Sequence, residues 1–463
     1  MREAILILLV IGLSIAGMAK ARVALLAYIW FAVMRPDVLA WATDRPYSML
    51  LGVVAILSCL RELPYAMQAI RNGWMILFAL LMGWFGFSVV VSEHLSETLL
   101  MFRIFLPTML TALLVPVVLR TFDDVRQLYL VMAFSLGVLG VKFGLWGVIL
   151  GGVQITAGYG GSLTDNNLFA LAMVVALPLC WYARDAVEDW RLRLLFLAFC
   201  VFIIPATVMT HSRGGALAMG AAVLFIVWQS RRRVLALTLL AVLLAPSVWL
   251  VKDSFVQRMQ TLQNYEEDMS ASGRLEFWKA AFRLSLDYPI AGVGFGGLSY
   301  TYKIGKYLPP GMPALYAHNN YLQMAADSGY PSLIIFCILL FGQMIRFWWA
   351  GLKFKNKDPL MYAMVMGTSG SLFGFAVGSI FLSRTHWETV YYILAMGAAF
   401  SPVIKERLQA LEALPAPLVA EPPPPSPVSV PERLPEPSRY KLGGRLRQAP
   451  RSGSPAWSGR PRP

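Results

Sequence analysis

Apolar segments long enough to be membrane helices recur along this chain from the N-terminus to residue 402. A helix needs roughly 20 mostly apolar residues to cross the hydrocarbon core of a bilayer. Hydrophobic residues make up 57% of the 463 residues and charged residues only 14%, which is too apolar for a soluble protein of this length. The sequence therefore predicts an all-α, polytopic integral membrane protein with about 12–13 transmembrane helices. The predicted spans are 3–19, 21–38, 47–60, 74–92, 97–119, 128–151, 166–183, 192–210, 214–230, 234–250, 331–350, 359–382 and 388–402.

Basic residues between the spans predict how the chain is oriented. Lys and Arg are enriched in cytoplasmic connections, so the cluster Arg231-Arg232-Arg233 between two spans is assigned to the cytoplasm. Alternate connections then face outward, and the largest of them is the segment 251–330. The formal net charge of +14 follows from this pattern, so no nucleic-acid partner is predicted. The shorter outward loops are 36–46, 93–96, 152–165, 211–213 and 383–387.

Composition divides the chain into four regions. They are an N-terminal transmembrane bundle (1–250), a large outward loop with short helices (251–330), C-terminal transmembrane helices (331–402) and a Pro-rich tail (403–463). The tail is predicted to be disordered and cytoplasmic. At the N-terminus two interpretations stay open, a first span or a cleavable signal peptide, because small residues follow a short apolar core. The four cysteines lie in apolar runs without metal-site spacing, so neither a disulfide nor a metal site is predicted.

The outward loop contains two predicted helices separated by a glycine-rich turn. The first begins after Ser272 and ends before Pro289, because proline disfavours helical geometry in the residue before it. It would lie on the membrane surface or against the bundle. Glycines at 292–297 form a turn, and without a strand-to-helix pattern they do not indicate a nucleotide site. The second helix opens at 317–323 and breaks near Gly329. The apolar stripe of the first helix consists of Leu275, Trp278, Phe282 and Leu286.

Three residues near the outward face carry chemistry that periodicity alone does not decide. His318 can exchange protons near neutral pH and activate a hydroxyl, or it is a solvated residue at a helix start. Arg213 and Arg274 can bind phosphate oxygens in a bidentate fork, or they extend from the membrane boundary into water. The glycines after Arg213 let another backbone or a substrate approach closely.

Four short motifs, taken in order, resemble the signature of the O-antigen ligase and polymerase superfamily. The resemblance covers roughly residues 160–345. The N-terminal part, with Arg35-Pro36-Asp37 and Ala40-Trp41, is also similar to a branch described as exosortase-associated O-glycosylation ligases. The four motifs are Ser212-Arg213-Gly214-Gly215, Ser272-Gly273-Arg274-Leu275-Glu276-Phe277-Trp278, Asp287-Tyr288-Pro289-Ile290-Ala291-Gly292-Val293-Gly294 and His318-Asn319-Asn320-Tyr321-Leu322-Gln323.

The resemblance implies an O-antigen ligase with a GT-C-like fold, metal-independent, inverting and without a cofactor. It implies undecaprenyl-pyrophosphate-linked O-antigen as the donor and a sugar hydroxyl of lipid A-core as the acceptor. The protein would lie among the lipids of the bacterial inner membrane, with its active site facing the periplasm. Carried onto this sequence, His318 is the base that activates the acceptor, and Arg213 and Arg274 hold the pyrophosphate. The chain departs from the family pattern in having Asn320 where many members carry Thr or another small polar residue, and in its Pro-rich tail.

Related enzymes share these motifs, so O-antigen polymerase and protein O-oligosaccharyltransferase stay open as alternatives. A solute transporter is the alternative from another class, but Lys142 is the clearest ionisable residue at mid-membrane depth and no inverted repeat is evident. Further outward residues are candidate substrate contacts, with structural roles at the membrane boundary as the alternative. They are Asn319, Tyr321, His211, Arg45, Arg384 and His386, with Glu388 beside them.

Overall fold

The computed structural model describes residues 1–413 except 44, 151–154, 156, 161–162, 231–237, 239–271 and 383. Several predictions lie outside the described residues. They concern the cluster Arg231-Arg232-Arg233, the span 234–250 apart from Thr238, the outward loop up to 271 and the tail beyond 413.

The described residues form helices throughout, with one short hairpin. The hairpin pairs β1 (Ala157–Gly160) with β2 (Leu163–Asp165) in antiparallel register, inside a connection that was predicted as a loop. The helices are α1 (Arg2–Ala19), α2 (Ala21–Met34), α3 (Pro36–Ala40), α4 (Tyr47–Cys59), α5 (Ala66–Ile70), α6 (Gly73–Val90), α7 (Leu95–Val118), α8 (Phe122–Ile149), α9 (Asn166–Ala183), α10 (Trp190–Val208), α11 (Arg213–Gln229), α12 (Ser272–Asp287), α13 (Leu298–Ile304), α14 (Asn320–Cys337), α15 (Gln343–Phe354), α16 (Pro359–Gly378) and α17 (Glu388–Glu412).

Hydropathy and length confirm the predicted fold class. Among the described residues, nine helical segments are long and apolar enough to cross a membrane. Helices α2 and α11 are also apolar but shorter. The chain is therefore an all-α, multi-pass membrane protein. One of these segments, Asn320–Phe354, joins α14 to α15 through a π-helical turn at Ile338–Gly342.

Two of the helix boundaries that differ from the prediction have a local explanation. The span predicted at 128–151 begins six residues earlier, at Phe122, because Thr121 and Asp124 form a reciprocal capping box there. The last helix was predicted to end at residue 402, but α17 continues to Glu412. Pro402 lies inside it and cannot donate the usual backbone hydrogen bond. The Ala398 carbonyl that is left without this partner accepts a hydrogen bond from Asn72 Nδ2 at 2.8 Å.

Helices α9 and α16 form the centre of the bundle. Both are mostly buried, and they pack against one another through small residues. A Cβ atom added to Gly374 would lie 2.8 Å from the Val174 side chain, and one added to Gly378 would lie 2.4 Å from Leu171. Glycine therefore sets the close approach of these two helices, as expected where helices associate within lipid. By contrast, α1 is largely exposed and lies at the periphery of the described bundle.

The segment after α12 is fixed to the end of α6. Trp84 Nε1 donates to the carbonyls of Ile290 and Ser328, and Ser92 Oγ donates to the Val293 carbonyl. Gly292, Gly294, Gly296 and Gly297 all have positive φ, and a Cβ atom at any of them would clash with a neighbour. The glycine-rich turn is thus a packing element.

Helix α12 has two apolar faces. The predicted stripe is largely exposed, with Leu275, Phe282 and Leu286 each about half accessible. The face beside it, with Ala280, Ala281 and Leu284, is buried against α13 and the residues before α14. The predicted helix is confirmed, ending at Asp287 before Pro289. The helix therefore packs against α14 through this second face, as one of the two interpretations expected. That the exposed stripe lies on the membrane surface stays a prediction.

Candidate functional site

His318 lies in a tight turn immediately before α14. Its backbone φ is 52°, in the left-handed region that a non-glycine residue occupies only when its surroundings enforce it. The next residue, Asn319, caps the helix, because its Oδ1 accepts hydrogen bonds from the backbone N–H groups of Tyr321 at 3.0 Å and Leu322 at 3.1 Å. The helix start therefore fixes one side of the turn.

Two further side chains fix the turn from its other sides. Gln323 Oε1 accepts the Ala317 N–H at 3.0 Å, and Gln323 Nε2 donates to Asp327 Oδ1 at 2.8 Å. Asn320 joins the turn to the connection between α16 and α17, because its Oδ1 accepts the Arg384 N–H at 3.1 Å. Its own N–H donates to the Ser379 carbonyl at 2.7 Å. These bonds hold His318 in its left-handed conformation.

The surroundings of His318 favour a neutral imidazole. The side chain is half-buried, and this burial lowers its pKa below the ordinary value. The positive charge of Arg274 lowers the pKa further, and the negative charge of Asp165 opposes both effects. His318 at neutral pH therefore carries an imidazole nitrogen that can accept a proton.

Arg274, in the first turn of α12, and Arg213, the first residue of α11, are close enough for their charges to interact. Burial lowers the pKa of Arg274, and the charge of Arg213 lowers it further. Neither guanidinium has a carboxylate ion-pair partner among the residues that the structure describes. Two such cations side by side repel one another, and a bound anion would relieve that repulsion.

The start of α11, which carries Arg213, is joined to the start of α9. Ser212 caps α11 by accepting the Gly215 N–H at 3.1 Å, and its Oγ donates to Asn167 Oδ1 at 2.8 Å. Asn167 N in turn donates to Asp165 Oδ1 at 3.0 Å. Hydrogen bonds therefore connect Ser212, which caps the helix that carries Arg213, to Asp165. The charge of Asp165 in turn affects the pKa of His318.

The glycines that follow Arg213 serve packing in the structure. A Cβ atom at Gly214 would lie 2.5 Å from the Phe381 side chain, and one at Gly215 would lie 2.5 Å from Ala170. The close neighbours are therefore residues of this chain.

Comparison with known protein families supports the sequence resemblance. A model of the O-antigen ligase family matches residues 195–337, a segment that contains Arg213, Arg274 and His318. This segment is therefore similar to the O-antigen ligase family, in agreement with the motifs described above. A model of a family of unknown function matches residues 1–168, so similarity to the exosortase-associated branch stays a prediction. No curated protein matches the chain.

Members of the O-antigen ligase family are glycosyltransferase-like enzymes, so the match supports a ligase-type or polymerase-type function in general. Enzymes of this type use lipid-linked glycans, which fits a site at the end of a membrane bundle. Two of the candidate substrate contacts have structural roles in the fold. Asn319 caps α14, and the Tyr321 hydroxyl donates to the Ala376 carbonyl at 2.8 Å while its ring stacks on Phe341.

The remaining candidate contacts lie in three places. His211 adopts a left-handed backbone, φ 54°, next to the Ser212 cap. Arg45 lies 3.7 Å from Glu3 of α1, so the structure gives it an ion pair in the N-terminal part. Arg384 and His386 are on the connection that binds Asn320. The structure thus brings His318, Arg274 and Arg213 together, with Arg384 attached to the same turn through its backbone.

A small cavity with room for about one water molecule, about 10 Å³, lies behind the His318 turn. Burial and the nearby Arg384 charge lower the pKa of His386 in this cavity to about 4. His386 is consequently neutral at physiological pH. The cavity is lined by Gly296, Gly297, Tyr316, Gln323, Asp327, Arg384, Thr385 and His386.

Two acidic residues in this region were not predicted as functional. Asp165 was read as part of a loop, although an Asp directly before a helix is a typical cap. Asp327 is buried within α14 and binds Gln323. The sequence signal for Asp327 was a carboxyl group among the small residues 325–329. A carboxyl group in a segment that packs closely needs a specific partner, which marks the residue as a candidate.

Proposed function

We propose that this protein is an O-antigen ligase that transfers O-antigen polysaccharide from undecaprenyl pyrophosphate to a sugar hydroxyl of lipid A-core. His318 acts as the base, and Arg213 with Arg274 binds the pyrophosphate. The observation that carries the proposal is a histidine with a lowered pKa in a fixed turn, beside two arginines that have no carboxylate partner among the described residues. The match of this segment to the O-antigen ligase family supports the same assignment.

In the proposed reaction the acceptor hydroxyl gives its proton to the neutral imidazole of His318 as its oxygen attacks the anomeric carbon of the donor. A new glycosidic bond forms, and the bond from the anomeric carbon to the pyrophosphate oxygen breaks. Undecaprenyl pyrophosphate leaves with the electron pair of that bond. The guanidinium groups of Arg213 and Arg274 stabilise the negative charge that develops on the leaving oxygens. Attack opposite the leaving group inverts the anomeric centre.

The proposal places the protein in the inner membrane with His318 facing the periplasm. Basic residues in alternate connections support this orientation through the preference of Lys and Arg for the cytoplasmic side. The lipid tail of the donor would then stay in the bilayer while its pyrophosphate and sugars lie at the membrane surface. In this mechanism the two arginines supply the positive charge, so a metal ion is not required.

The experiment is deletion of the gene followed by rescue with single variants. Lipopolysaccharide and lipid-linked glycan are compared on gels. His318→Ala, Arg213→Ala and Arg274→Ala are expected to give lipopolysaccharide without O-antigen and to accumulate long lipid-linked chains. Arg283→Ala is the matched control, because Arg283 is an exposed arginine on the same helix as Arg274.

Other results identify the alternatives. Lipopolysaccharide capped with a single repeat would indicate a polymerase, and unchanged lipopolysaccharide with an unglycosylated protein would indicate a protein O-oligosaccharyltransferase. Full rescue by His318→Ala would contradict its role as the base. Normal ligation in the deletion strain, with impaired uptake or export of a solute, would indicate a transporter.

A further inference from the structure

A large cavity lies at the end of the bundle opposite His318. Its volume is about 840 Å³, and it is bounded by the start of α6, the end of α7, the middle of α17 and the π-helical turn after α14. Helix α6 connects the two ends of the molecule: Trp74 lines this cavity, whereas Trp84 and Ser88 bind the backbone near Gly329. The cavity is thus separated from the proposed active site by most of the length of α6.

Prolines and small residues create the space. Pro116 in α7 and Pro402 in α17 both line the cavity, and each interrupts the hydrogen-bond ladder of its helix. Ala398 and Ala399 contribute only methyl groups to the wall on α17. Asn72 closes one edge by its bond to the Ala398 carbonyl.

The walls are apolar and the opening faces the side of the bundle. Ile76 and Ile338 line the cavity and are 46% and 45% exposed, which in a membrane protein means contact with lipid chains. Trp74, Leu77 and Pro116 extend the same apolar surface inward. A hydrocarbon chain can enter this space directly from the bilayer.

Basic side chains surround this apolar space. Arg71, Arg120 and Lys405 line the cavity. Arg120 pairs with Glu62 at 3.0 Å, whereas Arg71 and Lys405 have no ion-pair partner within the described part of the chain.

Arg346 adds a fourth cation next to the wall. Its Nη2 donates to Ser401 Oγ at 2.9 Å, and its guanidinium lies 5.9 Å from the ring centre of Trp74. Its Nη1 is buried and has no hydrogen-bond partner among the described residues. A buried guanidinium N–H without an acceptor is unfavourable unless a ligand supplies one.

We infer that this cavity binds an anionic glycerophospholipid, with its phosphate between Arg71 and Lys405 and an acyl chain against Trp74 and Leu77. Arg346, behind the wall, adds positive charge to the same site. A free phosphate would leave the apolar wall exposed, and a neutral lipid would leave the cations without a counterion. Basic pockets between membrane helices are known to bind anionic headgroups on the cytoplasmic side. The inference is independent of the proposed glycan transfer, because no residue of the cavity belongs to the His318 site.

The test uses the full-length protein purified in detergent and titrated with phosphatidylglycerol or with phosphatidylethanolamine of the same acyl chains. Native mass spectrometry gives the fraction of protein with bound lipid. We expect phosphatidylglycerol to bind at least about tenfold more tightly, since each basic residue contributes roughly a few-fold to tenfold to anionic-lipid affinity. The double variant Arg71→Gln/Lys405→Gln should lose this preference by about tenfold or more.

The matched control is Lys353→Gln/Lys357→Gln, which removes two exposed positive charges just before and after the end of α15, away from the cavity lining. Its phosphatidylglycerol affinity should change by less than about twofold. Thermal unfolding in detergent provides a second measurement, because a ligand that binds only the folded state raises the unfolding temperature. Phosphatidylglycerol should raise it for the natural protein and the control, but not for Arg71→Gln/Lys405→Gln.

Three results would overturn the inference. Equal losses in the two double variants would mean general surface attraction without a site. Equal binding of the two lipids would mean that the cations do not contact the headgroup. Displacement of phosphatidylglycerol by an equal concentration of undecaprenyl phosphate would assign the cavity to the polyprenyl chain.

Discussion

The two ends of the helical bundle both gather arginines, but they surround them differently. At the His318 end, Arg213 and Arg274 lie beside a histidine in a fixed turn, supported by capping residues and amide side chains. At the other end, Arg71 lines an apolar cavity of about 840 Å³, and Arg346 lies behind its wall, bonded to Ser401. The first arrangement suits an anion that reacts with a nearby hydroxyl, and the second suits an anion joined to a hydrocarbon chain. The residues around the arginines therefore differ between the proposed site of glycan transfer and the proposed site of lipid binding.

The largest expected effect is that of His318→Ala, which removes the only group assigned to proton transfer. We expect the transfer rate of purified enzyme to fall by about 10²–10⁴-fold, the range typical of a lost general base. The measurement is transfer of glycan from purified lipid-linked donor to lipid A-core in detergent. His94→Ala is the control, because the His94 ring lies 4.8 Å from the Tyr302 ring and His94 has no assigned chemistry. An equal loss of transfer rate in both variants would mean that the effect is not specific to His318, and would contradict its role as the base.

Replacement of either arginine at the His318 end should have the next largest effect. Arg274→Gln and Arg213→Gln are each expected to lower kcat by about 10²–10³-fold, as for loss of one donor to a developing negative charge. Arg283→Gln on the same helix as Arg274 should stay within about twofold of the natural enzyme. The same kinetic assay checks both, and a change in KM alone would mean that the arginines bind the donor without stabilising its leaving group.

Hydropathy made most of the fold predictable, because the length of an apolar run is a local property of the sequence. The predicted helix ends were less accurate where a capping residue determines the end, as at Thr121. They were also less accurate where a carbonyl without a partner in its own helix accepts a hydrogen bond from a distant residue, as at Ala398. The apolar stripe of α12 was found, but a second face with Ala280 and Leu284 is the buried one. When one helix has two small apolar faces, the periodicity of the sequence does not show which of them is buried.

The site was predictable only in part, for a similar reason. His318, Arg213 and Arg274 were identified by the resemblance. Asp165 was missed because it acts on His318 from a distant segment, and Asp327 because its partner Gln323 lies one helical turn away on a face that was not known to be buried. The left-handed backbone of His318 was also not evident from the sequence, because its cause lies in bonds from Gln323 and Asn320.

Gln323 tests whether the fixed turn matters for the reaction. Gln323→Met removes the bonds to Ala317 and Asp327 while keeping a side chain of similar length. We expect kcat to fall by about tenfold with little change in KM, because a displaced base affects chemistry more than binding. A parallel loss of about 1–3 kcal/mol in the free energy of unfolding is expected, since Asp327 loses a buried donor. Loss of stability with unchanged kcat would assign Gln323 a purely structural role.

The pH dependence of transfer gives a smaller but more specific effect. His318 must be neutral to act as a base, and burial together with Arg274 lowers its pKa. Activity should therefore persist below pH 6.5 and fall as the pH drops through the lowered pKa. Arg274→Gln should move this acid limb to higher pH, whereas Asp165→Asn should move it to lower pH, because the two charges act on His318 with opposite signs. Shifts in the same direction in both variants would contradict the electrostatic origin of the limb.

The smallest expected effect joins the two ends of the bundle. Arg71→Gln/Lys405→Gln should leave the transfer rate in detergent within about twofold of the natural enzyme when donor and acceptor are saturating, because Arg71 and Lys405 line a cavity at the end of α6 opposite His318. A large loss of kcat, with normal folding and with the control Lys353→Gln/Lys357→Gln unaffected, would mean that lipid binding is coupled to catalysis. Such coupling requires a difference in lipid affinity between two conformations of the bundle. Comparing phosphatidylglycerol affinity with and without bound donor would then measure it, because coupled sites change one another's affinity by the same factor.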